Sequence, residues 1–282
     1  MADKRKDAGS VPARLASASP ELFDSQAATF DRRAGLPQAV CREIARKLLE
    51  IAALAAGELV IEIGAGTGQI GQWIGAPLGY IGFDLSGGML REFAHRTKAS
   101  GADRLLIQAD ANVRWPVADG AARAIFGSRV LHLLNPEHVA AEAQRVASPN
   151  AATLIIGRVE RQLDSVRARM AREMNERLRQ RGLEARRGEP RDRRLIEACC
   201  RRGAQPLPSI SVATWQASSS PRQSLASWRS LEKLGGHPVA AELRDELLAE
   251  LEVWATDVFG GLDEPVASTE TYVLKALRMP VA

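Results

Sequence analysis

Along the first 160 residues, short apolar runs alternate with stretches whose apolar positions recur every three or four residues. From Pro37, the stripe Val40, Ile44, Leu48 and Ile51 or Ala52 predicts a helix that ends near Gly57. LVIEI at 59–63 reads as a buried strand, followed by a glycine loop and a helix through Trp73. YIGFD at 80–84 is a second strand, with a helix over 89–97 behind it. RLLIQAD at 104–110 and AIFGS at 124–128 are the third and fourth strands. A helix over 137–147 then leads into TLIIGR at 153–158, the fifth. Strands that are apolar throughout and separated by helices predict a parallel sheet covered on both faces.

Beyond 158 the pattern changes. Leu163, Val166, Met170, Met174 and Leu178 form one apolar side of a helix whose other side is arginine. A further helix is expected over 191–202, a strand at 211–217, and helices around 222–234 and 239–258. The last of these carries Val239, Leu243, Leu247, Leu251, Trp254 and Val258 on one face, and TYVLKAL at 271–277 reads as the closing strand. The polar, proline-punctuated residues 1–20 read as a disordered tail.

Composition adds exclusions. With 282 residues and 45% hydrophobic content the chain needs no staples to build a core. No run of about 18 apolar residues exists, so no membrane span is expected. The first twenty residues lack the apolar core of a signal peptide, and the three cysteines, Cys41 and the vicinal pair Cys199 and Cys200, suit a reducing compartment. The expected location is therefore cytoplasmic, and no metal signature is present. The net charge of +4 hides one basic segment, because residues 158–202 hold fifteen arginines. A solvated helical face explains it, as does a docking surface for an anionic substrate or acidic protein. Nucleic acid is not expected, since only Phe126 among aromatics lies between Trp115 and Trp215.

The sharpest chemical signal is Glu62-Ile-Gly64-Ala65-Gly66-Thr-Gly68, after a strand and ahead of an expected helix. Glycines there let the backbone approach a ligand, and a helix start offers free N–H groups. Asp84 ends the second strand, where a carboxylate can accept from both hydroxyls of a ribose. Asp110 ends the third, placed to receive an adenine amino group. Capping or ion pairing is the structural alternative for each acid.

In this order and spacing the chain resembles the class I S-adenosylmethionine-dependent methyltransferases, in a small-molecule, type 11-like branch. The resemblance runs from about Phe30 to Arg158. VIEIGAGTGQIG looks like the first cofactor motif, and FDLSGGML like the ribose-binding strand end and the following helix start. QADANVRWPVADGAARAIF resembles the adenine-contacting stretch, VLHLLNPEHVAAEAQRVASPNAATLIIG the post-strand loop, helix and fifth strand, and FDRRAG an N-terminal closing segment. The departures fall at turns: Val117 after the proline, Arg123-Ala124 before the fourth strand, and Pro149-Asn-Ala before the fifth.

The resemblance implies an α/β fold: a Rossmann-like parallel sheet closed by an antiparallel last strand, with an inserted helical lid. The domains would be a tail over 1–20, a cofactor-binding core over 21–158, a lid over 159–205, and remaining strands over 206–282 with a second helical insertion at about 220–262. It implies S-adenosylmethionine as cofactor, with Glu62 near its ammonium and its methionine end over Gly64, Ala65, Gly66, Gly68 and the helix start. Asp84 would hold the ribose, Leu85 and Met89 one side of the adenine, and Asp110 and Ala111 the other. Ser128 would line the methionine and acceptor end. The acceptor would be a small molecule, anionic or borne on a carrier protein, and His132 is the candidate base. Two rivals stand beside this reading: a cofactor-binding or regulatory protein without turnover, and an NAD(P)-dependent oxidoreductase.

Overall fold

The computed structural model describes residues 23–24, 27–98, 103–183, 191–229, 231, 233–235 and 237–280. The expected disordered tail over 1–20 lies outside them. The helices are α1 (Ala27–Ala34), α2 (Gln38–Ala52), α3 (Gly87–Thr97), α4 (Pro136–Val146), α5 (Val166–Gln180), α6 (Arg191–Arg201), α7 (Pro221–Arg229) and α8 (Ala241–Phe259). The parallel strands are β1 (Leu59–Ile63), β2 (Gly79–Asp84), β3 (Leu105–Gln108), β4 (Ala122–Ser128) and β5 (Thr153–Arg161). After them come β6 (Gln205–Pro206), β7 (Ile210–Ser219), a β8 (Lys233–Leu234) and β9 (His237–Pro238) hairpin, and β10 (Val266–Arg278).

The main sheet runs β3-β2-β1-β4-β5-β10-β6, with β7 also paired to β10. The last strand is antiparallel to β5, as expected, and β6 and β7 extend the sheet beyond it. β1 is buried on both faces because layers cover both. Ile61 and Ile63 join Phe83, Trp115, Val139 and Leu195 on one side. Val60 joins Ile44, Leu48, Phe93 and Tyr272 on the other. β1 therefore reads as an apolar run broken only by Glu62.

The expected helix from the glycine loop through Trp73 does not form. Residues 64–78 join β1 to β2 with one short 3-10 turn, Gly71–Trp73, and no α-helix. Arg104 takes the carbonyls that a longer helix would use. Its guanidinium donates to Ile74 O at 2.9 Å, Gln72 O at 2.8 Å and Gly71 O at 3.3 Å.

The helices expected in the lid separate. α5 buries Val166, Met170, Met174 and Leu178 against Leu225, Leu247, Leu248 and Leu251 of α7 and α8, forming a small core of its own. Leu163, counted in that stripe, lies before the helix and is 81% exposed. α6 instead packs on the sheet beside α4, with Leu195, Ala198 and Cys199 in the main core. The arginine face is largely matched by acids from α8 and β10. Arg177 pairs with Glu173 at 3.0 Å and Glu250 at 2.8 Å, and Arg181 pairs with Glu246 and Glu250. Arg161 pairs with Glu270 at 2.7 Å, while Arg158 and Lys275 share Asp192. Arg186 and Arg187 lie outside the described residues. Among those described, no helix is long and apolar enough to cross a membrane.

Candidate functional site

A cavity of about 320 Å³ opens at the carboxyl ends of β1, β2, β3 and β4. This is where ligands bind in sheets of this winding. Its walls contain Glu62, Gly64, Ala65 and Gly66 from the glycine loop, and Asp84, Leu85 and Met89 from the end of β2 and α3. Asp110 and Ala111 follow β3, and Ser128 and His132 follow β4. The expected site residues thus converge on one space, with one exception. Gly68 is not in the wall: a Cβ there would lie 2.1 Å from the Phe93 ring, and its φ is +75°. Its role is to let α3 pack under the loop.

Local bonds fix this wall. Asp84 accepts from Gly66 N and Ser86 N, both at 2.9 Å, so its carboxylate joins the glycine loop to the β2 end. Ser86 caps α3 by accepting from Met89 N at 3.1 Å, which sets the Met89 side of the cavity. Asp110 accepts from Asn112 N at 2.8 Å, an Asx turn that directs the chain away from β3. The buried Trp115 donates from Nε1 to Ala111 O at 3.0 Å, and Glu142 accepts its backbone N–H at 2.7 Å. Ala111 is held in place from beneath.

Burial acts on two of the acids. Glu62 is 3% exposed and accepts from the Tyr80 hydroxyl at 2.5 Å. Burial pushes its carboxyl up to about 8, against the Tyr80 bond that lowers it. Asp84 is also raised by burial, opposed by its backbone donors. His132 sits in the 3-10 turn after β4, where surrounding protein and then Arg191 hold its imidazole below the ordinary value. It is therefore neutral at pH 7, as a base must be. Ser128 Oγ lies 2.5 Å from the Tyr272 hydroxyl, which reaches it from β10.

Three contributions went unread in the sequence. Arg129 follows β4 with φ +56°, lines the cavity, and donates from Nη2 to Gln69 Oε1 at 3.3 Å. Gln69 and Thr67, both buried, donate to Asp31 of α1. Arg96 also pairs with Asp31. Asp24 accepts from Ser86 Oγ and from Gly88 N at 2.8 Å. The N-terminal segment, with Phe23 and Phe30 in the wall, is thereby latched across the cavity by two carboxylates. Only FDRRAG hinted at it.

Burial raises the Cys41 thiol to about 11 and the Cys199 thiol to about 12, so neither is a thiolate at neutral pH. Among the described residues no group of three His, Cys, Asp or Glu could hold a metal.

A protein-family profile described as "Methyltransferase domain" matches residues 60–150. No curated protein matches the chain in sequence. Among solved structures, the [4+2]-cyclase SpnF superposes with TM-score 0.57 at 17% identity, over 94% of this chain and 97% of its own. A Bacillus halodurans C-125 protein provisionally classed as a methyltransferase gives 0.54 at 16%, over 84% and 98%. YcgJ of Bacillus subtilis gives 0.53 at 15%, over 84% and 97%. At such identities the likeness shows the fold. Residues 60–150 match a methyltransferase domain, and within that stretch the glycine loop and the acids at the strand ends gather on one cavity.

Proposed function

We propose that the protein transfers a methyl group from S-adenosylmethionine to a small-molecule acceptor. The observation that carries this reading is that Glu62, Gly64, Gly66, Asp84, Asp110 and Ser128 converge on one cavity. A side chain at Gly66 would meet no protein atom closer than 4.0 Å, so the backbone there leaves room for a ligand. Leu85 and Met89 offer apolar contact for an adenine beside Asp110. Asp84 is set for the ribose hydroxyls, and Glu62 for a cationic group.

When bound, the cofactor supplies a methyl group already activated on sulfur. The protein's task is alignment and exclusion of water. Phe23 and Phe30, held at the cavity through Asp24 and Asp31, cover part of it. His132, neutral at pH 7, takes the proton that an oxygen or nitrogen acceptor loses. The α5, α7 and α8 cap follows the carboxyl ends of β5 and β7, on the side where the cavity opens, and borders the approach of the acceptor. No residue of those three helices is in the cavity wall, and Arg177 and Arg181 of the cap are paired with Glu250 and Glu246. A small acceptor is favoured over a docked acidic carrier for that reason.

A dinucleotide fits less well. Its pyrophosphate rests on the N-terminus of the helix after the glycine loop, and here that helix is a three-residue turn. SpnF, a cyclase by name, shows that this fold also serves other chemistry. Incubation with donor carrying an isotopically labelled methyl and a metabolite pool should give a labelled product with stoichiometric S-adenosylhomocysteine. Tight donor binding with no label transferred to any pool would leave a binding protein and reject turnover.

A further inference from the structure

We propose that the outer edge of β7 pairs with a second copy of this chain, the two β7 strands running antiparallel about a two-fold axis at Trp215. The two ends of the main sheet are built differently. At one end β3 has only four residues, Leu105–Gln108, and Asp103 and Arg104 stand directly before it. A short strand beside charged residues is a common guard against edge-to-edge pairing. At the other end β7 has ten residues, and among the described residues β10 is its one strand partner. From Gly203 to Pro221 no charged residue occurs, in a chain with 26% charged residues. Pro206, Pro208 and Pro221 flank the strand, and none lies within it. Val212 bulges against β10 near its start and leaves 213–219 in regular register.

That regular stretch is held extended from both faces. On one, Thr214 Oγ1 lies 3.1 Å from Thr271 Oγ1, and Gln216 donates from Nε2 to Thr269 Oγ1 at 3.2 Å. On the other, Ala213 and Trp215 pack with α2 against the core. Residues opposite one another in an antiparallel pair share a face, so a strand meets its own copy with like faces together when the axis passes at a residue. With the axis at Trp215, Trp215 meets itself, Ala213 meets Ala217, and Thr214 meets Gln216 twice. A two-fold axis brings each charge near its own image, so a self-pairing edge has to be neutral. An edge for an unlike chain is under no such constraint. The charge-free run therefore favours a second copy as the occupant, and pairing satisfies the outward N–H and C=O groups of both edges.

Sedimentation of the full chain tests this, with Gln216→Lys and Thr214→Glu as variants. Both side chains are exposed, and neither residue is in the cavity wall. The parent should dimerise with rising concentration. Each variant alone should weaken the dimer by about tenfold, because the added charge lies near its own image across the axis. An equimolar mixture of the two variants should recover a heterodimer, since position 214 of one copy faces position 216 of the other. Thermal unfolding of each variant reports whether its fold is intact. A parent that stays monomeric up to about 0.5 mM, where a weak specific dimer would be visible, overturns the proposal. A dimer that neither variant weakens uses another surface and overturns it as well. Weakening by both variants without recovery in the mixture would reject the pairing across this edge.

Discussion

The hydroxyl of Tyr272 reaches Ser128 Oγ at 2.5 Å, joining the last strand to the tip of the fourth across 144 residues. It passes over Gly157 of β5, where a Cβ would lie 2.0 Å from that hydroxyl. Gly157→Ala should therefore destabilise the protein by about 1–3 kcal/mol through overpacking. Tyr272→Phe, which loses the bond and keeps the ring, should cost about 1 kcal/mol. Chemical denaturation measures both. A Gly157→Ala variant as stable as the parent would mean that the phenol is not pressed into β5.

Asp84 bonds the glycine loop as well as facing the cavity. Asp84→Ala is expected to lose roughly 1.5–3 kcal/mol of S-adenosylhomocysteine binding, about ten- to a hundredfold. Because Gly66 N and Ser86 N lose their acceptor, thermal stability should also drop. Titration calorimetry on a folded variant with parental affinity would show that the ribose lies elsewhere.

The buried Glu62 predicts how the ligand-free protein responds to pH. Its carboxyl is raised from 4.5 to about 8, so between those values the folded state holds a proton that the unfolded state has released. The contribution of this group to stability therefore falls as pH rises from about 4.5 to 8. Glu62→Gln should flatten that slope in melting curves taken across the window. An identical slope in the variant would locate the titration in another group.

Glu250 serves Arg177 and Arg181 together, with Glu246 beside it. Glu250→Lys should weaken the cap by about 1 kcal/mol, and less in 1 M salt, because partly exposed pairs are screened. Cofactor affinity should not move, since none of these residues is in the cavity wall. A salt-independent loss would show that packing, not charge, was disturbed.

Strand ends were readable because buried parallel strands are continuous apolar runs, and an acid closing such a run stands out. Asp84 was legible for that reason, Glu62 as the one acid inside such a run, and Asp110 as the acid two residues past β3. The helix through Trp73 was overread, since Gln69-Ile-Gly-Gln-Trp has helical spacing while the residue that ends it, Arg104, arrives thirty residues later. Gly68 looked like a ligand glycine because Gly64 and Gly66 beside it line the cavity, yet Phe93 claims its space. The arginine segment looked like an open surface because its acids are distant in sequence. Arg177 and Glu250 are 73 positions apart. Arg129 carried no signal of its own, as its place depends on one backbone angle after β4.

The position of β10 has a consequence for the order of assembly. It fills the slot between β5 and the outer strands, although it is the last element in the chain. During synthesis from the N-terminus, β1 to β5 can pair while the outer edge of β5 waits for a partner about a hundred residues away. That edge contains TLIIG, a short apolar stretch without charge or proline. A nascent or truncated chain ending before residue 266 would expose it as a template for pairing with another copy. Aggregation of such fragments, rather than loss of the cofactor motifs, is the hazard this topology creates.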